Sequence, residues 1–449
     1  MRLIGFVLLA FFSTISATAQ ENSPYSRYGL GDVIPNQNIV SRAMGGISAG
    51  YSDLQSVNLN NPAALANLSY VKDKKYLRTA VRNTIFDVAA EIDNRTLKTI
   101  NPPAKFSSTN LLFSYVQLGI PVRMNKLNRK GIFLGMNLGL KPVSRINYKI
   151  LQNARPNQTD TLAYLYQGTG GLNEANIGFG LRVKQFNIGF NTGYRFGQKE
   201  YSTKTFFLND TVRDFYSANQ SNKAYFGGAF LNLGVQYEFE MRKSGILRVG
   251  AYGNLQQNIR TTQEQIVETI TTDASGNSYR IDSVYQKTTD GTIQYPASIS
   301  FGFTYQDSSR NWLIGADFEQ TFWSKYRFLG EKDNVQNNWK IKVGAEYYPA
   351  KINTPIKKYL RFVRYRAGIY YGPDYINIGS TKPEYGFSFG AGFPLKLRRG
   401  YYEYQTSLLN TAIEIGSRGN RNTNIRESIF RISLGFSLSD LWFNRIKYN

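Results

Sequence analysis

The 449-residue chain carries 54 Lys and Arg against 31 Asp and Glu, a formal charge of +23, and has neither Cys nor His. This excludes disulfides, thiolate metal sites and thiol or imidazole catalysis, so neither an enzyme nor a cofactor or metal is expected. The basic residues are scattered through tyrosine-rich alternating segments instead of forming blocks, which argues against nucleic acid and favours outer-membrane lipids, lipopolysaccharide phosphates or anionic ligands as the partners of the charge.

At the start, Arg2 precedes an apolar run over 3–12 and a small-residue stretch ending in Ala17, Thr18 and Ala19. That order reads as a signal peptide over 1–20, since the apolar run is too short to span a bilayer as a helix. The protein is therefore expected in the cell outer membrane. No later apolar run has the length of a membrane helix, so a membrane protein of this sequence has to be a closed barrel. Thirty-two Tyr, 29 Phe and 40 Gly against 14 Pro fit such a wall, with aromatic rings at the interfaces and glycines where strands bend.

Residues 21–76 are rich in Gly, Asn, Ser and Ala and alternate weakly. Short helical pieces are expected at 39–43 and 62–68, the second with Asn61 as N-cap and Pro62 in its first position. A segment this short has to pack against something larger, and a plug inside a barrel meets that need.

From residue 77 to 449 the pattern is all-β, a transmembrane antiparallel barrel of about fourteen strands. They are expected at 77–92, 107–122, 131–150, 172–183, 186–201, 222–240, 245–266, 292–305, 312–328, 337–348, 360–376, 384–395, 401–417 and 426–446. Period-two alternation carries the assignment. In the third strand Ile132, Leu134, Met136, Leu138 and Leu140 share a face, and Pro142 marks a kink or bulge. In the fourth, Ile177, Phe179 and Leu181 oppose Gly178, Gly180 and Arg182. Only Lys184 and Gln185 separate it from the fifth, the tightest hairpin. In the last, Phe430, Ile432, Leu434, Phe436 and Leu438 oppose Arg431, Ser433, Gly435, Ser437 and Ser439, hydrocarbon side against lumen side. The connections sort into short ones at one end and long ones, including 151–171, 202–221 and 267–291, at the other, as for periplasmic turns and surface loops. Trp312, Trp323, Trp339 and Trp442 suit interface anchoring, and Trp442, Phe443 and Tyr448 a closing aromatic rim.

The run Ser41-Arg42-Ala43-Met44-Gly45-Gly46, then Asp53, then Asn61-Pro62-Ala63-Ala64-Leu65 resembles the N-terminal hatch of the FadL-type outer-membrane transport proteins. The opening SPYSRYGLGD and the ending DLWFNRIKYN are similar to those of Bacteroidota outer-membrane proteins. The resemblance implies a hatch over 21–76 with Arg42, Gly45, Gly46, Asp53, Asn61, Pro62 and Ala63 as hatch or gating residues. It also implies a strand kink, for which Pro142 is the candidate, and a small hydrophobic or amphipathic ligand, fatty-acid-like or aromatic, diffusing through the plugged barrel with lateral release.

A branch resembling this family serves instead as a partner of secretion or outer-membrane assembly machinery or of a lipoprotein, which is the alternative function. Arg42 is expected to pair with Asp53 or a wall carboxylate, because a charge in a narrow lumen is costly unless matched. Arg182, Arg195, Arg366 and Arg431 are expected on inward faces, either attracting a ligand carboxylate or zipping to wall carboxylates. An apolar tunnel would favour transport, and a lumen filled with polar side chains the partner role.

Overall fold

The computed structural model describes residues 23–69, 84–100, 103–122, 124–155, 161–208, 216–241, 244–272, 278–351, 358–379, 381–395, 407–419 and 425–440. The expected signal peptide and the rim residues Trp442, Phe443 and Tyr448 lie outside these.

Alternating apolar and small or polar residues form a closed antiparallel barrel of fourteen strands. These are β1 (Thr84–Thr99), β2 (Ala104–Val122), β3 (Ile132–Ala154), β4 (Leu162–Val183), β5 (Phe186–Phe207), β6 (Ser217–Met241) and β7 (Gly245–Asn254 continuing as Gln257–Thr272). Then follow β8 (Ser278–Tyr295 continuing as Ser298–Asp307), β9 (Trp312–Thr321), β10 (Asn338–Tyr347), β11 (Arg364–Pro373), β12 (Pro383–Pro394), β13 (Leu408–Arg418) and β14 (Ile425–Asp440). The ladder between β14 and β1, from Ile425 opposite Thr99 to Asp440 opposite Thr84, closes the sheet on itself. Closure leaves no edge strand at either end of the sheet, which is what a spanning sheet requires.

The alternation sorts by environment. Phe430, Leu434 and Leu438 of β14 face outward and exposed, while Arg431, Ser433 and Ser437 between them are buried. The same holds in β5, β8 and β9, where Ile188, Phe190, Ile299, Phe301, Phe303, Trp312 and Ile314 are exposed. The two-residue turn at Lys184 and Gln185 follows expectation, with Lys184 in the left-handed region at φ 55°.

Several boundaries differ from the reading of the sequence. The described part of β1 starts at Thr84 and runs on to Thr99. The expected surface loops at 151–171, 202–221 and 267–291 are largely strand, β7 pairing with β8 from Gln257 opposite Tyr295 to Thr272 opposite Ser278. Both faces of these extensions meet water, so hydrophobic alternation fades while Thr, Ile, Val and Tyr keep the backbone extended. Strand β9 stops at Thr321, and a 3-10 turn at Trp323–Lys325 carries Trp323 inward, where it is 5% exposed. Trp323 is therefore a lumen residue and no interface anchor.

One junction of the wall is forked. Strands β2 and β3 pair only from Val116 opposite Leu140 to Val122 opposite Leu134. Above that level β2 continues along β1, with a bulge at Ser114, and β3 along β4, with a register shift between Pro142 and Ser144. Extra residues at the same height on both strands splay them apart.

Candidate functional site

The N-terminal segment, residues 23–69, lies in the lumen as a plug. A short helix, Ile39–Arg42, starts where the Asn38 side chain accepts from the Ser41 amide, and a 3-10 helix, Pro62–Ser69, follows Asn61. The Asn61 side chain accepts from the Ala63 amide at 3.1 Å and donates to the carbonyls of Ala49, Val235 and Ala251. It therefore caps its helix and ties the plug to β6 and β7 at once. The Asn-Pro-Ala turn presses onto wall glycines: a Cβ at Gly189 would meet Pro62, and one at Gly135 the Leu65 carbonyl. Gly45, at φ +68°, donates its amide to Ser388 Oγ at 2.8 Å, and a Cβ there would stand 2.6 Å from the Ile369 carbonyl oxygen. Gly46, at φ +88°, completes that turn.

On the opposite side the plug is held by charge. Arg42, 2% exposed, reaches Glu91 and Glu414, each at 2.5 Å. Arg431 meets Asp93 at 3.0 Å and Glu414 at 3.5 Å, and Arg145 meets Glu91 at 3.0 Å. Asp32 of the plug pairs with Arg418 at 2.6 Å and with Arg95, which also contacts Asp93. Arg418 extends the network to Glu427 at 3.3 Å and Asp374 at 3.7 Å. Five guanidiniums (Arg42, Arg95, Arg145, Arg418, Arg431) thus face six carboxylates (Asp32, Glu91, Asp93, Asp374, Glu414, Glu427) across the seam where β13, β14 and β1 meet.

Burial alone would raise the Asp32 carboxyl, but Arg418 and Arg95 outweigh it and hold the group well below the usual carboxylate range. Burial likewise opposes the charge on Arg42, and Glu414 and Glu91 more than restore it. Asp374, in the turn after β11, goes the other way: burial pushes it up to about 6 against the pull of Arg418.

The other sequence-picked residues separate from this network. Asp53 does not meet Arg42; it faces Arg364 at 3.6 Å. Arg182 pairs with Glu238 at 3.2 Å and donates to Asn67 of the plug at 2.8 Å. Arg195 pairs with Glu174 at 2.9 Å and Arg366 with Glu346 at 2.7 Å. All four inward arginines, Arg431 included, therefore have wall carboxylates as partners, as one of the two sequence readings has it. Two Gly-x-Ser-x-Gly runs, at 46–50 and 386–390, lie in the plug and within β12; the Ser48 amide donates to Asp317, and Ser388 serves Gly45.

Sequence reasoning missed Asp93 and Arg95, which it put in a loop by ending the first strand at Ile92, and Asp32, Glu91, Glu414 and Arg418. It also missed an aromatic cap: Trp323 packs at a tilt against Tyr375 with ring centroids 4.4 Å apart, and Tyr326 donates to the Gly29 carbonyl at 3.1 Å. With Tyr25 and Leu30 of the plug, and Tyr295 of the wall beside them, these rings form one packed cluster between plug and wall. Between plug and wall a chamber of about 200 Å³ is lined by charged groups, among them Arg42, Lys141, Glu174, Arg195, Lys342 and Arg431. Outside the wall a furrow of about 830 Å³ runs from Pro142 and Arg145 over Gly171, Gly197 and Gly227, rimmed by Tyr194, Phe196 and Tyr225.

The BamG family model matches residues 1–449, the whole chain. The chain belongs to the BamG family. No curated protein matches its sequence. Among solved structures, the Pseudomonas putida toluene transporter TodX is similar at 16% identity with a TM-score of 0.55, over 92% of this chain and 100% of TodX. The monoaromatic hydrocarbon channel CymD gives 12% and 0.51 over 92% and 99%, and a Pseudomonas aeruginosa FadL homologue 13% and 0.51 over 92% and 98%. This BamG-family chain thus has the fold of FadL-type outer-membrane barrels, plug included, and the likeness at these identities concerns the fold.

Proposed function

We propose that this BamG-family barrel sits in the outer membrane as a non-conducting subunit of a complex that assembles or secretes outer-membrane proteins. The observation that carries the reading is the state of the lumen: a plug locked by buried ion pairs and close packing, capped by aromatic rings, with a charged chamber of about 200 Å³. Small-molecule sites are mostly apolar and roughly 300–1,000 Å³, so neither the size nor the lining of this chamber suits a greasy ligand. The family's name, BamG, carries an association with assembly. Isolation from the native membrane in mild detergent tests the reading. Stoichiometric recovery with other outer-membrane assembly or secretion subunits supports it; migration alone, with lipid or hydrocarbon bound in the lumen, removes it.

A second reading, passage of small hydrophobic or amphipathic molecules with lateral release, is favoured by the fork between β2 and β3 and the adjoining furrow. Solved structures with this fold include a toluene transporter and a monoaromatic hydrocarbon channel. It predicts saturable binding of a monoaromatic probe, lost when Tyr194 and Phe196 are replaced by Ser, and absence of such binding rejects it.

A further inference from the structure

The two sides of the fork are not alike. The edge of β3 is covered from within by the plug: Asp32 and Val33 pair with Arg145 and Ser144, Ile34 donates to the Val143 carbonyl at 3.0 Å, and Ser23 to the Asn147 carbonyl at 3.0 Å. A piece of this chain thus already docks in the fork as an added strand. The facing edge of β2 has no such cover among the described residues. Its one bridge is Arg145, whose Nη2 donates to the Phe113 carbonyl at 2.6 Å while Nη1 holds Glu91.

That bridge fixes the direction of the backbone. In an antiparallel strand the amide and carbonyl of one residue point to the same side, and sides alternate along the chain. The Phe113 carbonyl points into the fork, and the pairing of β2 with β1 is regular from Ala90 opposite Phe113 to Thr99 opposite Ala104. The main-chain groups of Leu111, Thr109, Ser107 and Lys105 therefore point into the fork as well. Leu111 and Phe113 belong to the apolar outward band, each 45% exposed, so part of this edge lies at lipid depth, where an unpaired backbone group is costly. At the same height Asn110, 2% exposed, faces the lumen with both amide atoms unpartnered.

We propose that the β2 edge over residues 105–113 docks an extended segment of another outer-membrane polypeptide, one that alternates apolar and small polar residues. Lipid tails offer no hydrogen bonds, whereas an added strand satisfies the row of donors and acceptors and continues both faces of the wall. This rests on the assembly reading and gives its partner a chemical description.

The test uses the full chain in detergent micelles and, as a probe with the required pattern, a peptide of this chain's own residues 425–440. Amide exchange at Lys105, Ser107, Thr109 and Leu111 is expected to be fast in the barrel alone and at least tenfold slower with the peptide. A shuffled peptide without alternation gives no slowing. Leu111→Pro removes an N–H that β1 does not use, so the barrel still forms, as heat-modifiable migration checks, but peptide affinity falls at least tenfold. Ser107→Pro serves the same purpose if the first variant does not fold. Slow exchange without peptide, equal protection by lipid alone or by the shuffled peptide, or unchanged affinity in the folded proline variant overturns the proposal. Equal recovery of assembly subunits with parent and proline variant would leave the assembly reading standing while removing this edge from it.

Discussion

Arg42 sits between two wall carboxylates at 2.5 Å each and is nearly sealed from solvent. Removing one partner of a buried pair leaves the others uncompensated, which costs about 3–5 kcal/mol. Arg42→Met is expected to weaken plug docking by that order, read as faster amide exchange over residues 39–47, while the barrel keeps its heat-modifiable migration. Asp32 supplies a pH dependence with a definite sign. Its carboxyl is held low in the folded state, so its stabilisation is present above its ordinary value and is lost as pH falls below about 4. Asp374 has the opposite sign: raised to about 6, it favours the folded state when protonated and gives that up as pH rises from about 4 to 6. Protection of the Ile34 amide, which donates to the Val143 carbonyl, is expected to drop steeply below about pH 4, and a flat profile down to pH 3 would contradict the Asp32 pairing. At this scale the sequence shows which residues face inward, because Arg182, Arg195, Arg366 and Arg431 follow the alternation of their strands. It does not show their partners, since Glu414 and Arg42 are 372 positions apart and only barrel closure brings them together.

The strands were legible wherever one face meets lipid and the other the lumen, as in β5 and β14. Where both faces meet water, as along β7 beyond Ile266 and β8 before Thr292, the alternation disappears and the sequence reads as loop. Ending the first strand at Ile92 hid Asp93 and Arg95, both part of the ion network. Trp323 was misplaced because a break after Thr321 turns the chain inward. The plug's fit is itself a prediction about elements. Gly189 and Gly135 let the Asn-Pro-Ala turn touch the wall. Gly189→Leu is therefore expected to unseat residues 62–69, seen as new protease sensitivity there without loss of the barrel. An unchanged cleavage pattern would show that the turn has room to spare.

For the molecule as a whole, charge holds the plug at the closing seam and contact holds it at the glycine-lined wall, so the lumen is a filled core more than a passage. A sealed lumen predicts that the purified barrel in planar bilayers shows no steady conductance, and that Arg42→Met combined with Glu414→Ala produces openings; steady current through the parent protein would contradict the locked plug. The work of such a barrel then lies at its wall, where the fork between β2 and β3 breaks the ladder. The most direct measurement is the amount of folded outer-membrane protein at the surface of cells depleted of this chain, scored by heat-modifiable migration. Folded barrels of other outer-membrane proteins are expected to decline while uptake of hydrophobic solutes is unchanged. Normal levels of those barrels together with lost uptake of such a solute would contradict the assembly reading.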